Sequence, residues 1–519
     1  MKLDFNTYKD KVMGCWAGKN VGGVLGAPFE CQRQFNEIDF YTQDLSGGPP
    51  PNDDLDLQII WLNAVERYGR QVNSSILGEY WLSYVIPHWS EYGIGKSNMV
   101  AGLTPPLSGV YKNQYKNSCG CFIRSEIWAC LAPGYPEIAA RFAYEDAIVD
   151  HSGEGVYGEV FCATLESAAF VESDTRVLIN IGLSYIPEDC AVARCVKKAI
   201  ECYDSGMPLK EARVAIHNTA PGTFGLIGRT IIEKDPDGME TGQPGFDCPE
   251  NIGYLIAGWL YGEGDFGKAL CNTVACGEDT DCSAATLGAI MGIISGASAL
   301  PDKWTKPLDD KIATMSINLT TWTGLWVPKT VTELTDRVLR VTPRFLDVNS
   351  VDLLSEGGYT ISCHEGERLY CQVHNCPKGH ASDEIPRELT LQELIGLPSY
   401  TVRHHFPTHL VKLDYGDNIY FNSRETRKIK ITVMNTNIMK QQMWCRLRIY
   451  APDDVYLPSG AGFSLQLGTF YGEKSDAVIE LDASEFMGER IEIIIDISFE
   501  GRHTSTPVKA VLLRENGLN

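Results

Sequence analysis

Glycine recurs at every fourth position in two separate apolar stretches of the chain, one from Gly14 to Gly26 and one from Gly288 to Gly296. Residues four apart lie on the same face of an α-helix, so each stretch predicts a helix with one ridge that carries no side chains. Glycine destabilises an isolated helix, and such a ridge is favoured where another backbone packs unusually close. The two stretches therefore predict two closely packed helices at the centre of a helical bundle.

The hydrophobic pattern changes along the chain near Val341. Up to that point apolar residues follow helical spacing, as at Leu55, Ile59, Leu62 and Val65. Beyond it, residues 428–433 and 489–495 alternate or are rich in β-branched side chains, which is typical of strands. We therefore predict a multi-domain protein. It consists of an all-α domain over residues 1–342, an irregular connecting segment over 343–397, and an all-β, sandwich-like domain over 398–519.

Charge and composition exclude several classes of function. The 519 residues carry 67 acids against 45 bases, a formal charge of −22, which repels a phosphate backbone and excludes bulk nucleic-acid binding. The uncharged run from Cys282 to Pro301 approaches membrane-spanning length, but its Gly, Ala and Ser content predicts a buried helix instead. The start of the chain has no apolar signal segment, so its cysteines are expected to stay reduced in the cytoplasm.

Two acidic clusters lie far apart in the chain, each just before an apolar helix. The first is Asn52-Asp53-Asp54, and the second is Asp279-Thr280-Asp281-Cys282. One acid before a helix can cap its free amide groups, but a second acid adds repulsion that a cap does not need. Carboxylates at alternate positions can instead point at one hard cation. The two clusters together therefore predict a divalent metal site, and a metal-dependent hydrolase is the leading hypothesis.

Four segments of the chain, in order, resemble the ADP-ribosylglycohydrolase family. Gly14 to Glu30 is similar to the first helix of that family and its following loop, and Asn52-Asp53-Asp54 is similar to the family's Thr-Asp-Asp. Residues 120–124 resemble its Asn-Gly-x-x-Met-Arg segment. Residues 277–282 resemble its Gly-Gly-Asp-Thr-Asp-Thr motif. The resemblance covers about Tyr8 to Pro307 and leaves out the predicted β domain.

The resemblance implies an all-α fold with a binuclear magnesium or manganese centre, and cleavage of the glycosidic bond at the anomeric carbon of ADP-ribose. It implies Glu30 and Asp281 as catalytic residues. The implied metal ligands are Asn52, Asp53, Asp54, Asp279, Asp281 and Cys282. Asn52 and Cys282 stand where the family usually has threonine, and a thiol suits softer metals than Mg²⁺. The expected cofactor is accordingly two Mg²⁺ ions, with Mn²⁺ as the alternative.

The same resemblance implies residues that contact the substrate, a small-molecule or protein-linked ADP-ribosyl group. These are Ser118, Cys119, Gly120, Arg124, Asp150 and His151. Two interpretations of Arg124 stay open, because it can anchor a phosphate or brace the cleft by pairing with a buried acid. Two alternatives for the function also stay open: a glycosidase for a different N- or O-glycoside, and a non-catalytic relative that binds ADP-ribose.

Overall fold

The structure is a computed structural model of the chain. The residues that it describes are 1–220, 239, 246–318, 324–355, 357–371, 390–423, 425–436, 443–483, 488–503 and 505–515.

The described residues form two compact units, which we call the helical unit and the strand-rich unit. The helical unit comprises Met1–Ser97 and Tyr111–Cys376, and the strand-rich unit comprises Asn98–Val110 and Pro377–Asn519. Helices dominate the N-terminal region and strands the C-terminal region, so the predicted fold class is confirmed. The boundaries at residues 342 and 397 stay predictions, and residues 372–389 of the predicted connecting segment lie outside the described residues.

The α-helices follow one another with short 3₁₀ turns between some of them. They are α1 (Phe5–Gly26), α2 (Asp56–Tyr68), α3 (Ser74–Tyr84), α4 (Ser90–Val100), α5 (Leu107–Val110), α6 (Glu126–Leu131), α7 (Pro136–Ala147), α8 (Glu154–Ala169), α9 (Thr175–Ser184), α10 (Ala191–Asp204), α11 (Leu209–Thr219), α12 (Cys248–Gly262), α13 (Phe266–Ala275), α14 (Thr280–Ser295), α15 (Asp302–Thr305), α16 (Val331–Phe345) and α17 (Leu391–Ile395). The 3₁₀ helices are Ala27–Phe29, Gly69–Gln71, Cys119–Arg124, Ala297–Ala299 and Gly366–Leu369.

Helices α1 and α14 pack backbone against backbone along their glycine ridges. A Cβ atom at Gly18 would lie 2.0 Å from the carbonyl oxygen of Gly288, and one at Gly22 would lie 2.0 Å from that of Ala284. These distances leave no room for a side chain, which confirms the predicted close packing. The helices run antiparallel, because Gly14 meets Gly292 whereas Gly26 meets Thr280. The end of α1 therefore lies beside the start of α14, and the two loops at that end are brought together.

A small antiparallel sheet within the helical unit was not predicted. It consists of β1 (Lys2–Asp4), β2 (Val351–Leu353) and β3 (Tyr359–Ser362), in the order β1-β3-β2. Leu3 pairs with Ile361, and both side chains are buried. Strands of three or four residues are too short to show a period-two pattern, so the chain carries no local signal for this sheet.

The strand-rich unit contains two five-stranded sheets, one in the order β4-β5-β7-β11-β9 and the other β10-β8-β12-β13-β6. Their strands are β4 (Thr401–Phe406), β5 (His409–Asp414), β6 (Tyr420–Phe421), β7 (Thr426–Asn435), β8 (Met443–Tyr450), β9 (Val455–Tyr456), β10 (Gly462–Leu467), β11 (Lys474–Ala483), β12 (Arg490–Phe499) and β13 (Ser505–Arg514). Buried and exposed residues alternate strictly along β8, so one face of this strand is turned toward the core. The predicted strand segment 428–433 lies in β7, and the segment 489–495 overlaps β12, which begins at Arg490.

None of the helices in the described ranges is both long and apolar enough to span a membrane. The run from Cys282 to Pro301, which approaches that length in the sequence, contains most of α14. Its glycine face packs against α1.

Candidate metal centre

The second acidic cluster sits in a tight turn at the start of α14. Gly277 and Glu278 both adopt the left-handed backbone conformation, with φ of +78° and +68°. Asp279 follows at the N-cap position of α14, but its side chain makes no capping hydrogen bond. Asp281 lies in the first turn of the helix. The turn therefore presents both carboxylates without using Asp279 as a cap.

The first acidic cluster likewise does not cap the helix that follows it. Leu55 occupies the N-cap position of α2, and no side chain forms a capping hydrogen bond there. Asn52 instead accepts a hydrogen bond from the backbone nitrogen of Asp54 at 2.7 Å, which closes a small turn. The capping explanation for Asp53 and Asp54 is thus not what the structure shows, and their carboxylates are available for another role.

The two clusters converge at the junction of α1 and α14. The Asn52 amide nitrogen donates to Asp281 Oδ2 at 3.2 Å. A Cβ atom at Gly23 of α1 would lie 2.9 Å from Asp54 Oδ2 and 3.4 Å from Asn52 Nδ2, so the missing side chain leaves space for both. On the other side, Asp279, Asp281 and Cys282 offer ligand atoms that all lie within 4.8 Å of one another. Residues from both clusters thus share one small region.

The carboxylates of this region are buried, and several of their oxygens lack donors. Asp54, Asp279 and Asp281 are 4%, 2% and 5% exposed. Both oxygens of Asp54, and one oxygen each of Asp279 and Asp281, find no hydrogen-bond donor among the described residues. A buried carboxylate without donors is costly unless a cation is present, and oxygen donors suit hard divalent ions. The residues therefore fit a divalent metal such as Mg²⁺ or Mn²⁺.

Burial and mutual repulsion raise the pKa of these acids. Burial, followed by the charge of Asp281, raises the pKa of Asp54 and of Asp279 well above the usual range. Burial and the charges of Glu30 and Asp53 raise the pKa of Asp281 to about 7. A bound cation reverses this direction because it favours the ionised form. A proton and a bound cation would therefore compete for the same oxygens.

Lys19 is a buried cation next to this cluster, and sequence reasoning did not find it. Its ammonium lies 2.7 Å from Glu126 Oε1, and both side chains are fully buried. Burial alone would lower the pKa of Lys19, but the charges of Glu126 and Asp54 raise it overall, so the side chain is cationic. The available signal was one lysine inside the glycine-rich stretch of α1, where no other charge occurs between Gly14 and Gly26.

Glu30 lies in the loop that follows α1, close to the acids. The loop begins with the 3₁₀ turn Ala27–Phe29, and the thiol of Cys31 donates to Glu30 Oε1 at 3.8 Å. Although the residue as a whole is exposed, burial of its carboxylate and the charges of Asp53 and Asp54 raise the pKa of Glu30 to about 7. The carboxyl group can therefore hold or release a proton near neutral pH.

Four of the six residues predicted to contact substrate form a buried chain of hydrogen bonds and ion pairs. Ser118 Oγ lies 2.9 Å from His151 Nε2, and His151 Nδ1 lies 2.9 Å from Asp150 Oδ1. Asp150 in turn accepts from Arg124 Nη2 at 2.6 Å. Burial alone would lower the pKa of His151, but Asp150 raises it to about 9. These four residues therefore form a continuous network of polar and charged side chains buried in the interior of the helical unit.

Arg124 braces the interior of the helical unit. Its Nε lies 2.9 Å from Asp146 Oδ1, and it also pairs with Asp150, all with fully buried side chains. Of the two interpretations of Arg124, the structure shows pairing with buried acids.

The turn at Ser118–Gly120 connects this chain of pairs to the second acidic cluster, because Cys119 lies near Asp279. Burial, followed by the charge of Asp279, raises the pKa of the Cys119 thiol well above its usual range. The backbone nitrogens of Ser118 and Cys119 donate to the carbonyls of Tyr115 and Phe246. A Cβ atom at Gly120 would lie 2.0 Å from Glu91 Oε1, so a buried glutamate that sequence reasoning missed fills that approach.

Comparison with known proteins places these residues in a family. The family model described as ADP-ribosylglycohydrolase matches residues 4–343. A solved structure described as an ADP-ribosylglycohydrolase-related protein complex is 16% identical over 66% of this chain and 100% of that chain, with a TM-score of 0.44. A FixG-related protein from Vibrio parahaemolyticus is 14% identical over 21% of this chain and 95% of that chain, with a TM-score of 0.16. The search of curated proteins finds no match.

Proposed function

The chain belongs to the ADP-ribosylglycohydrolase family, a hydrolase-type family that is generally metal-dependent, and on that premise we propose that it releases ADP-ribose from a modified acceptor. In the proposed reaction, water attacks the anomeric carbon and the bond to the acceptor breaks. The observation that carries the proposal is the convergence of Asp54, Asp279 and Asp281, with carboxylate oxygens that lack donors among the described residues. Such oxygens support a role in binding a cation.

Six residues would hold the metal in this proposal. They are Asn52, Asp53, Asp54, Asp279, Asp281 and Cys282. When bound, two Mg²⁺ or Mn²⁺ ions would supply Lewis-acid chemistry, orienting ribose hydroxyls and making water a better nucleophile. Tyr92 supports Asp53 from behind, since its hydroxyl donates to Asp53 Oδ2 at 3.5 Å. The thiol of Cys282 is a poor ligand for Mg²⁺, which favours Mn²⁺ at any position that the thiol reaches.

Glu30 and Asp281 would carry the proton transfers. The raised pKa of Glu30, about 7, suits a residue that removes a proton from water or donates one to the leaving group at neutral pH. Asp281 accepts the Asn52 amide at Oδ2, which orients its carboxylate. Charges from Asp53 and Asp54 keep a proton on Glu30 more readily in the absence of metal.

The roles proposed for the remaining residues follow from their partners. Ser118, Cys119 and Gly120 form the turn beside Asp279 and are proposed to contact the substrate. Arg124, Asp150 and His151 form a network that is proposed to hold that turn in position through the hydrogen bond between His151 and Ser118. A rigid support of this kind keeps a reactive geometry within a fraction of an ångström.

The test is a panel of substrates incubated with purified protein and Mg²⁺ or Mn²⁺. The panel contains ADP-ribosylated arginine and serine, O-acetyl-ADP-ribose, poly-ADP-ribose and simple nucleosides, and released ADP-ribose is measured by chromatography. Asp189→Asn, which changes an exposed acid, serves as a control for activity. Metal-dependent release of ADP-ribose supports the proposal. Turnover of a nucleoside alone, or metal binding without turnover of any member, would overturn it.

A further inference from the structure

Glu278 occupies a backbone conformation that normally requires glycine. Its φ is +68°, and its side chain is completely buried. A residue other than glycine pays about 1 kcal/mol or more for this left-handed conformation, so some interaction of the side chain must offset that cost. A specific partner is therefore expected for the side chain of Glu278.

That partner is Arg33, on the loop that carries Glu30. Arg33 Nε donates to Glu278 Oε1 at 2.5 Å, and Arg33 Nη2 donates to Glu278 Oε2 at 3.2 Å. The Arg33 side chain is 3% exposed and that of Glu278 is fully buried. Two parallel bonds between a guanidinium and a carboxylate fix both position and orientation. The pair thus joins two loops that are 245 residues apart.

Backbone hydrogen bonds surround this ion pair on the same two loops. The Cys31 nitrogen donates to the Glu278 carbonyl at 3.0 Å, and the Glu278 nitrogen donates to the Gln32 carbonyl at 3.0 Å. A Cβ atom at Gly277 would lie 2.4 Å from the Gln34 carbonyl oxygen, so the loop packs directly on the turn. These contacts form a clamp, defined here as Arg33, Glu278 and the backbone pairing of residues 31–34 with 277–278.

We propose that Arg33 and Glu278 are positioning residues that clamp the loop carrying Glu30 onto the turn at residues 277–281, which we call the acid turn. The clamp thereby holds the Glu30 carboxylate close to the aspartates that are proposed to bind metal. The inference rests on the proposed function for the role of Glu30. The existence of the clamp does not rest on the proposed function, because it is seen in the contacts alone. Glu278 immediately precedes Asp279, and residues 31–34 directly follow Glu30. Loosening the clamp frees Glu30 without removing any carboxylate from the aspartates.

The test variant is Glu278→Gly, which removes the carboxylate and replaces it with the residue that suits a φ of +68°. It should therefore fold, although its melting temperature should fall because Arg33 stays buried and loses the Glu278 carboxylate. Arg33→Lys keeps the charge but loses the two parallel bonds, and serves as the conservative variant. The matched control is Glu66→Gln, which breaks a second two-bond pair, Arg337–Glu66, with distances of 2.8 and 2.7 Å and remote from the acid turn.

Hydrogen exchange and alkylation report the clamp directly, without any substrate. In Glu278→Gly, amides of residues 27–36 should exchange at least about tenfold faster than in the wild type, because their protection depends on the clamp. Cys31, which is exposed, should react with iodoacetamide at a changed rate. The buried Cys121 and Cys248 should react as in the wild type. Glu66→Gln should leave the loop unchanged.

Kinetics with ADP-ribosylated arginine and Mn²⁺ then separate positioning from general support. We expect kcat of Glu278→Gly to fall about 10- to 100-fold with KM within about twofold, and Arg33→Lys to recover part of the loss. Unchanged exchange in residues 27–36, or full kcat in a variant whose loop exchanges fast, would overturn the clamp. A wild-type protein that turns over none of the panel defeats the proposed function, whereas the exchange data still decide whether the clamp exists.

Discussion

The side-chain amide of Asn52 lies 3.2 Å from Asp281 Oδ2, and this bond joins residues 229 positions apart. It shows that the two acidic clusters share one site. The glycine packing of α1 against α14 makes this meeting geometrically possible, because it brings the end of α1 and the start of α14 to the same place. Backbone-to-backbone packing therefore determines where the acids stand.

Replacing Asp281 with asparagine should weaken metal binding and abolish turnover while leaving the helical fold intact. The change removes one negative charge but keeps the shape and an oxygen for the Asn52 bond. We expect the affinity for Mn²⁺, measured by calorimetry, to fall by about 100-fold or more. Circular dichroism should match the wild type. An Asp281→Asn protein with normal Mn²⁺ affinity and turnover would reject the proposed centre.

The metal-free protein should lose stability as the pH rises from about 4 toward 7. The folded-state pKa of Asp281, about 7, lies above its unfolded value of about 3.9. A raised folded-state pKa contributes stability that is present in full below the unfolded pKa and is lost as the pH rises through the folded pKa. Melting temperatures in EDTA should therefore decline between about pH 4 and pH 7.

Saturating Mn²⁺ should remove most of that decline, because the cation stabilises the ionised acids. Asp281→Asn should also show a shallower decline in EDTA than the wild type. An identical pH dependence of the melting temperature in the wild type and in Asp281→Asn would contradict this prediction.

The positive charge of Lys19 should affect both the stability of the protein and its affinity for a cation at the acids. Lys19→Met alone leaves Glu126 buried without its partner, so we expect a loss of about 3 to 5 kcal/mol in the free energy of unfolding. The double variant Lys19→Met/Glu126→Gln should recover most of that loss. It should bind Mn²⁺ several-fold more tightly, since a cation near Asp54 is gone.

The exposed pair Lys268–Glu263 provides the control for the Lys19 experiment, and its double replacement should change neither stability nor Mn²⁺ binding. Denaturant unfolding and calorimetry supply the two measurements. Weaker Mn²⁺ binding in Lys19→Met/Glu126→Gln than in the wild type would show that Lys19 supports the metal site by some other means.

Cys282 should influence which metal the site prefers. Replacing the thiol by a hydroxyl in Cys282→Thr supplies a harder ligand in a similar volume. We expect the ratio of Mg²⁺ to Mn²⁺ affinity to rise by about tenfold, with direct titration of both ions as the measurement. Cys271→Ser, at a similarly half-buried cysteine elsewhere, is the control. The same ratio in wild type and Cys282→Thr would mean that the thiol does not reach the metal.

A methyl group at Gly18 should disrupt the helix pair on which the site depends. Its Cβ would lie 2.0 Å from a backbone oxygen, and backbone cannot move aside as a flexible side chain can. Gly18→Ala should therefore reduce the free energy of unfolding by about 3 kcal/mol or more, measured by denaturant titration. Gly47→Ala should change it by less than about 0.5 kcal/mol, because among the described residues no atom beyond the two chain neighbours lies within 4 Å of the added Cβ.

The sequence by itself determined the main helices and strands of this protein and predicted its chemistry. Helical spacing from Leu55 to Val65 and alternation in β7 and β12 are local properties, so they can be read without knowing the fold. Glycine at every fourth position predicted the packing of α1 on α14, because a ridge without side chains has few other uses in a helix. The neighbouring acids at Asp53–Asp54 and Asp279–Asp281 predicted a cation for the same kind of local reason.

Only the tertiary structure decided which residues surround those acids. Lys19 pairs with Glu126 across 107 positions, and Arg33 pairs with Glu278 across 245. Neither pair has a regular sequence spacing from which the contact could be predicted. The short strands β1 and β3 pair over a still longer separation. Such contacts depend on how whole helices pack, and the same side chains would read as ordinary surface charges in isolation. The sequence therefore predicts which residues could bind a cation. The packing of the helices determines that Lys19 lies beside them, that Arg33 and Glu278 join the neighbouring loops, and that the carboxylates are buried.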